Sequence, residues 1–376
     1  MRILVTGGAG FIGSHLVSAL VDRGHDVRVL DLLVPQVHGD AAPDRLPAGA
    51  ERIQGDVSDA EAVRRALDGV EAVFHQAAEV GVGQSMYEID RYVGANTFGT
   101  AVLLKALVER RDDIAKLVVA SSMSIYGEGA YSCTSCDNGG REFVSPRARP
   151  AAQVRARRWE IGCPHCATGT LAPIPTPEAK PLFPTSVYAI TKQDQEQLCL
   201  TVGGAYGIPT VALRYFNVYG DGQALSNPYT GVCAIFSSRL LNGQPPLIFE
   251  DGQQSRDFVH VSDIVQANLA ALERDVNMPT GINIGTGVST SVIEVAELLA
   301  EGLGEDPGVE IVGQYREGDV RHCFADISLA RGVLGYEPTV SLKEGIPELL
   351  AWVREQSAAD GTPQALAELT SRRLVW

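Results

Sequence analysis

A doubly wound parallel α/β sheet is what this sequence predicts, followed by a smaller α/β unit and interrupted by an inserted, cysteine-bearing lobe. Three observations predict it. Short apolar runs at Ile3–Thr6, Val27–Leu30, Ala72–His75, Leu117–Ser121 and Thr210–Arg214 alternate with amphipathic segments of helix length. The first run leads through a glycine-rich turn straight into helical sequence. The alternation then breaks at two places, between positions 130 and 180 and after 220.

With 376 residues, 45% of them hydrophobic, the chain can bury a full core, and its length suits two joined units. A formal net charge of −15 opposes non-specific attraction to nucleic acid or anionic membrane, so neither is an expected partner. Met1–Thr6 enters strand-like sequence with no basic leader, and no apolar run is long enough to span a bilayer. The expectation is a cytoplasmic protein. Its seven cysteines, an odd number, argue against a disulfide framework there.

The first turn reads Gly7-Gly8-Ala9-Gly10-Phe11-Ile12-Gly13, and His15–Arg23 has helical composition. Glycines at three-residue spacing between strand and helix let a pyrophosphate approach backbone amides and a helix N-terminus. Asp31 closes the second strand about twenty residues on, where a carboxylate accepts from an adenosine ribose and repels a 2′-phosphate. That favours NAD over NADP. Asp56-Val57, after the third strand, is placed for the adenine, although an Asp there could equally cap the helix beginning near Asp59.

Tyr188-Ala189-Ile190-Thr191-Lys192 puts a phenol and an ammonium four residues apart, on one face of the helix that should follow Pro184. A free Tyr, with a pKa of about 10, is a poor base at neutral pH, and a nearby Lys⁺ favours its phenolate. Such pairs are common on solvated helices; this one has company. Leu117–Ala120 runs into Ser121-Ser122-Met123-Ser124, offering hydroxyls at the carboxyl end of the sheet.

With these residues the chain resembles the extended short-chain dehydrogenase/reductases, and within them the NAD-dependent nucleotide-sugar epimerases and dehydratases. The likeness extends over nearly the whole chain outside 130–180. It includes His75-Gln76-Ala77-Ala78, Asn96 with Gly99-Thr100, Arg214–Gly220 and Arg256–Val261. The resemblance implies a Rossmann-type unit over 1–219 that binds NAD, with Gln76, Ala77, Ala78, Asn96 and Ser121 added to the cofactor set. It implies a substrate-binding unit over 220–376, with 255–273 packing back on the first. It further implies that Tyr188 takes the sugar hydroxyl's proton, that Ser122 holds that oxygen, and that Lys192 holds the nicotinamide ribose. Ser124 is a second hydroxyl within reach, and Asn217, Arg256 and Arg321 would contact the nucleotide diphosphate. A homodimer is expected on the same ground.

The family's 4,6-dehydratases carry an Asp-Glu pair after the triad hydroxyl, where this chain has Met123-Ser124, and its decarboxylases a Glu where this chain has Ser124-Ile125. C4 epimerisation of a UDP- or dTDP-hexose needs only the triad and a retained cofactor. A reductase or dehydrogenase with net cofactor turnover keeps the same triad. An NAD-binding regulatory module is the non-enzymatic alternative.

The insertion holds Cys133-Thr134-Ser135-Cys136 and Cys163-Pro164-His165-Cys166. Two such knuckles fit a structural Zn²⁺ held tetrahedrally by four thiolates in a zinc-ribbon-like lobe. Arg147, Arg149, Arg155, Arg157 and Arg158 lie between them, and a solvated face is the default for such a run. Because the segment leaves the sheet just after Ser122–Tyr126 and returns just before Tyr188, it should be a lid or wall of the site, or a subunit contact. Beyond 220, helices are expected over Pro228–Leu241 and Ser262–Leu272, an extended piece at Pro246–Phe249, and a capping box at Ser291 and Glu294. The sequence leaves open whether Leu374-Val375-Trp376 docks or frays.

Overall fold

A computed structural model describes residues 1–39, 45–166, 169–304 and 308–376. Strands β1 (Arg2–Thr6), β2 (Asp26–Asp31), β3 (Ala50–Gln54), β4 (Ala72–His75), β5 (Lys116–Ser122), β6 (Thr210–Tyr215) and β7 (Ile282–Ile284) form one parallel sheet in the order 3-2-1-4-5-6-7. Strand order reverses between β1 and β4, which leaves a crevice at their carboxyl ends. The five apolar runs lie on their expected strands. The three residues of β7 are too short to show a period, and this strand, which pairs with β6, was not anticipated.

The longer helices are α1 (Phe11–Asp22), α2 (Gly99–Glu109), α3 (Val187–Tyr206), α4 (Val232–Leu241), α5 (Val261–Glu273), α6 (Val292–Leu303), α7 (Leu342–Val353) and α8 (Thr362–Ser371). Leu16, Val17 and Leu20 of α1 and Ile264 and Ala267 of α5 cover Ile3, Val5 and Phe74 on one sheet face. Leu103, Leu104 and Leu107 of α2 and Cys199 of α3 cover Leu4, Val73, Leu117 and Val119 on the other. Neighbouring residues of β1 thus enter opposite cores, as pleating requires, and both faces being buried explains why the strands read as continuous apolar runs.

A third core joins Phe236 and Leu240 of α4 to Val295 and Leu299 of α6 and Ile346 and Leu350 of α7. Capping boxes Ser291/Glu294 and Ser341/Glu344 start α6 and α7. Helix α4 begins at Val232, later than its composition suggested, because Asn227 Oδ1 accepts the Tyr229 N–H and its carbonyl the Thr230 N–H, forming a turn around Pro228. Helix α5 is capped by the His260 ring, not by Ser262. The extended piece shortens to Leu247–Ile248, paired with Glu310–Ile311. The C-terminus docks: Val375 bridges Arg316, and the Arg155 guanidinium lies 4.6 Å over the Trp376 ring.

Within the insertion, Ala130–Cys133 pairs antiparallel with Leu171–Ile174. Tyr131, Val144, Ile161 and Leu171 make a small separate core against the four cysteines. Among the described residues no helix is long and apolar enough to cross a membrane.

Candidate active site

The glycine turn is shaped by contact. Gly7 has φ +68°, and a Cβ there would lie 2.7 Å from the Ala77 backbone; a Cβ on Gly13 would overlap the Gly7 carbonyl. No side chain caps α1, whose N-cap is Gly10, so its first N–H groups face the crevice. Asp31 lines the crevice, its carboxylate accepting the Ala9 N–H at 3.0 Å and the Leu33 N–H at 2.9 Å. Burial would raise its pKa, but His38 and these two amides outweigh that and hold it below the usual carboxylate range.

The resulting cleft is about 950 Å³, large enough for a dinucleotide. Gly7, Gly10, Phe11, Ile12, Gly13, Asp56, Val57, Gln76, Ala77, Ala78 and Ser121 line it together with Asp31, and so do Ser122, Tyr188 and Lys192. Asp56 accepts the Ser58 N–H, and the cap of the next helix is Asp59, not Asp56. Asn96 is fully buried behind the wall, its amide bridging Thr191 Oγ1 and both backbone groups of Glu79. Its part is to fix the loop after β4.

Helix α3 is capped by Ser186, whose side chain accepts the Ala189 N–H, and this sets Tyr188 and Lys192 in its first turns. Tyr188 donates its backbone N–H to Ser85 Oγ and packs edge-on against Tyr92 at 6.5 Å. Burial pushes its phenol above the ordinary value, and the Ser122 hydroxyl works the other way. Lys192 Nζ donates to the Ala120 carbonyl at 2.6 Å and to Gln195 Oε1 at 2.7 Å; burial brings its pKa down to about 7. Gln195 was missed in the sequence, although it stands three residues after Lys192 on the same helix face. Its amide joins His75 and Thr100, and burial and the Lys192 charge keep His75 neutral, with a pKa of about 3.

A second pocket of about 270 Å³ adjoins the cleft at Thr230. Ser124, Asn217 and Arg256 line it, as do Phe249, Gln254 and, from α8, Ala365, Leu366 and Leu369. Ser124 Oγ, Asn217 Oδ1 and Gln254 Oε1 are buried with no hydrogen-bond partner among the described residues. Such groups call for a polar ligand. Among the described residues the Arg256 guanidinium donates only to carbonyls, of Ser255, Val320 and Arg321, and has no carboxylate within ion-pair reach.

Arg321, expected beside Arg256 on the diphosphate, is placed differently. Its side chain is 1% exposed and ion-paired to Glu160 at 2.5 Å, Glu250 at 2.9 Å and Asp251 at 2.7 Å, outside both pocket linings. Arg149 also departs from the solvated default: it is fully buried against Glu250 at 2.6 Å and Glu128 at 3.3 Å. No described residue of 130–180 lines either pocket, so the insertion is not a wall of them.

The four cysteine sulfurs lie within 4.8 Å of one another, none of them in a disulfide. The N–H groups of Ser135 and His165 point at Cys133 and Cys163 Sγ, each at 3.4 Å. At Gly169 a Cβ would meet the sulfurs of Cys133 and Cys166 at 2.5 and 2.8 Å.

Sheet order, glycine turn and a Tyr/Lys pair opening a helix beside the crevice define an extended short-chain dehydrogenase/reductase. The chain belongs to the NAD dependent epimerase/dehydratase family, whose model matches residues 3–285. It is 37% identical to a dTDP-L-rhamnose 4-epimerase of Burkholderia thailandensis, over 94% of this chain and 95% of that one. Its structure is similar to a UDP-glucose 4-epimerase of Thermotoga maritima solved with UDP-glucose, with TM-score 0.76, 33% identity and coverage of 94% and 99%. It is also similar to a UDP-glucose 4-epimerase of Thermus thermophilus in complex with NAD, with TM-score 0.71, 31% identity and the same coverage. A decarboxylase and a 4,6-dehydratase align as well, at 30% and 29% identity, so family membership alone leaves the reaction open.

Proposed function

We propose that the protein is a C4 epimerase of a nucleotide-diphosphate hexose, UDP- or dTDP-linked. One observation carries this reading: the triad side chains meet in the cleft while Ser122 is followed by Met123-Ser124, with no carboxylate from 121 to 127 for dehydration or decarboxylation. The relatives named as 4-epimerases agree with it.

The glycine turn and Asp31 would hold NAD, which would supply the acceptor and donor of the C4 hydride. Tyr188 receives the proton of the 4-hydroxyl and gives it back, Ser122 donates to that oxygen, and the Lys192 ammonium favours the phenolate. Arg256 holds the diphosphate by charge-assisted bonds, with Asn217 beside it and Ser124 toward the sugar. Incubation in D2O with UDP-glucose, dTDP-L-rhamnose and UDP-glucuronate, followed by chromatography and mass spectrometry, tests this. Epimer formation with no solvent deuterium and no net NADH supports it; deuterium in the product, loss of CO2 or stoichiometric NADH overturns it.

Two further readings accompany it. Convergent thiols with two N–H···S bonds and a glycine packed on the sulfurs support one structural zinc on Cys133, Cys136, Cys163 and Cys166. Metal analysis should find one zinc per chain. Exposed Ile89, Val93 and Phe98, next to exposed Ile190 of the triad helix, support a homodimer of this cytoplasmic enzyme through that face. Light scattering checks the mass.

A further inference from the structure

We infer that the cysteine-bearing insertion is a positioning element for the phosphate-binding arginine, acting through a buried charge network. This rests on the assignment of Arg256 to the diphosphate. The path is short. The Arg256 guanidinium is located by the carbonyls of Val320 and Arg321, at 2.6 and 3.1 Å. That backbone is fixed in turn by Glu128, which accepts the Arg321 N–H at 2.8 Å, and by the Arg321 side chain.

Two insertion residues complete the grip. Glu160 takes the Arg321 guanidinium at 2.5 Å and faces His322 Nε2 at 3.3 Å, and the other ring nitrogen of His322 meets Ser255 Oγ at 2.9 Å, next to Arg256. Arg149 lies between Glu250, which also pairs with Arg321, and Glu128. Without Arg149, the two carboxylates would face each other in a dry interior with one cation fewer, so the segment from Phe249 to Asp251 and the strand at Arg321 would have to shift. Phe249 and Glu250 line the second pocket beside Arg256. The insertion therefore sets the shape of a pocket it does not line.

A merely structural lobe would loosen everything together; a positioning lobe changes one affinity. The test uses full-length Glu160→Ala and Arg149→Met, with UDP and dTDP titrated by calorimetry, NAD by fluorescence, and turnover split into kcat and KM. Both variants should bind the nucleoside diphosphate about ten-fold more weakly, with KM raised and with kcat and NAD affinity within about two-fold of the parent. Glu160 is half exposed, so its variant carries the test if Arg149→Met does not fold. Unchanged nucleotide affinity, or NAD affinity falling in parallel, overturns the inference alone. A parent protein that binds neither UDP nor dTDP overturns it together with the assignment of Arg256.

Discussion

Gln195 Oε1 accepts the Lys192 ammonium at 2.7 Å, two turns along the helix from Tyr188. The contact aims Nζ at the Ala120 carbonyl, at the carboxyl end of β5. Replacing Gln195 by Leu removes the anchor and leaves His75 and Thr100 short of a donor. Activity should fall about 10- to 100-fold, as displacements of this size do, with the alkaline side of the pH profile moved. Steady-state rates across pH read both effects.

Tyr188→Phe keeps the ring against Tyr92 but deletes the hydroxyl proposed to accept the sugar's proton. Turnover should drop by a factor of about 10² to 10⁴ while NAD binding persists. Fluorescence titration of the cofactor, set beside product analysis, separates the two.

Lys192 gives a stability signature. Its folded pKa of about 7 lies below its ordinary value of 10.5. Between these values the unfolded chain holds the extra proton, so stability without cofactor should rise as pH climbs from 7 to 10.5, and the full cost of burying the cation stands below 7. Lys192→Met should therefore exceed the parent in Tm by most near pH 6.5, with the gap narrowing by pH 10. Thermal melts across pH give the sign.

Leu369 of α8 is 3% exposed and packs near Gly83 on the wall of the second pocket. Leu369→Ala should cost about 3 kcal/mol of stability and raise KM, since the cavity opens onto the pocket. Denaturant melts and kinetics on the same preparation check the two together.

What the sequence disclosed follows physical reach. Strands buried on both faces, the glycine turn and the Tyr188/Lys192 spacing are local patterns, and each fixes its own geometry within a few residues. Arg321 and Arg149 were misplaced for the opposite reason. Their partners Glu128, Glu160 and Glu250 are distant in sequence, and no local pattern tells an arginine facing phosphate from one enclosed by carboxylates. Likewise β7 is three residues long and is held by its neighbour β6, not by its own period. The docked C-terminus depends on Tyr315, Glu317 and Arg155, none of them near it in the chain.

Strand β7 comes from beyond position 280, yet it closes one edge of the cofactor-side sheet, and a single apolar core runs from Ile3 to Tyr336. The two halves are therefore interlocked and not hinged. Heating should therefore melt the sheet, with strands from both ends of the sequence, as one cooperative unit.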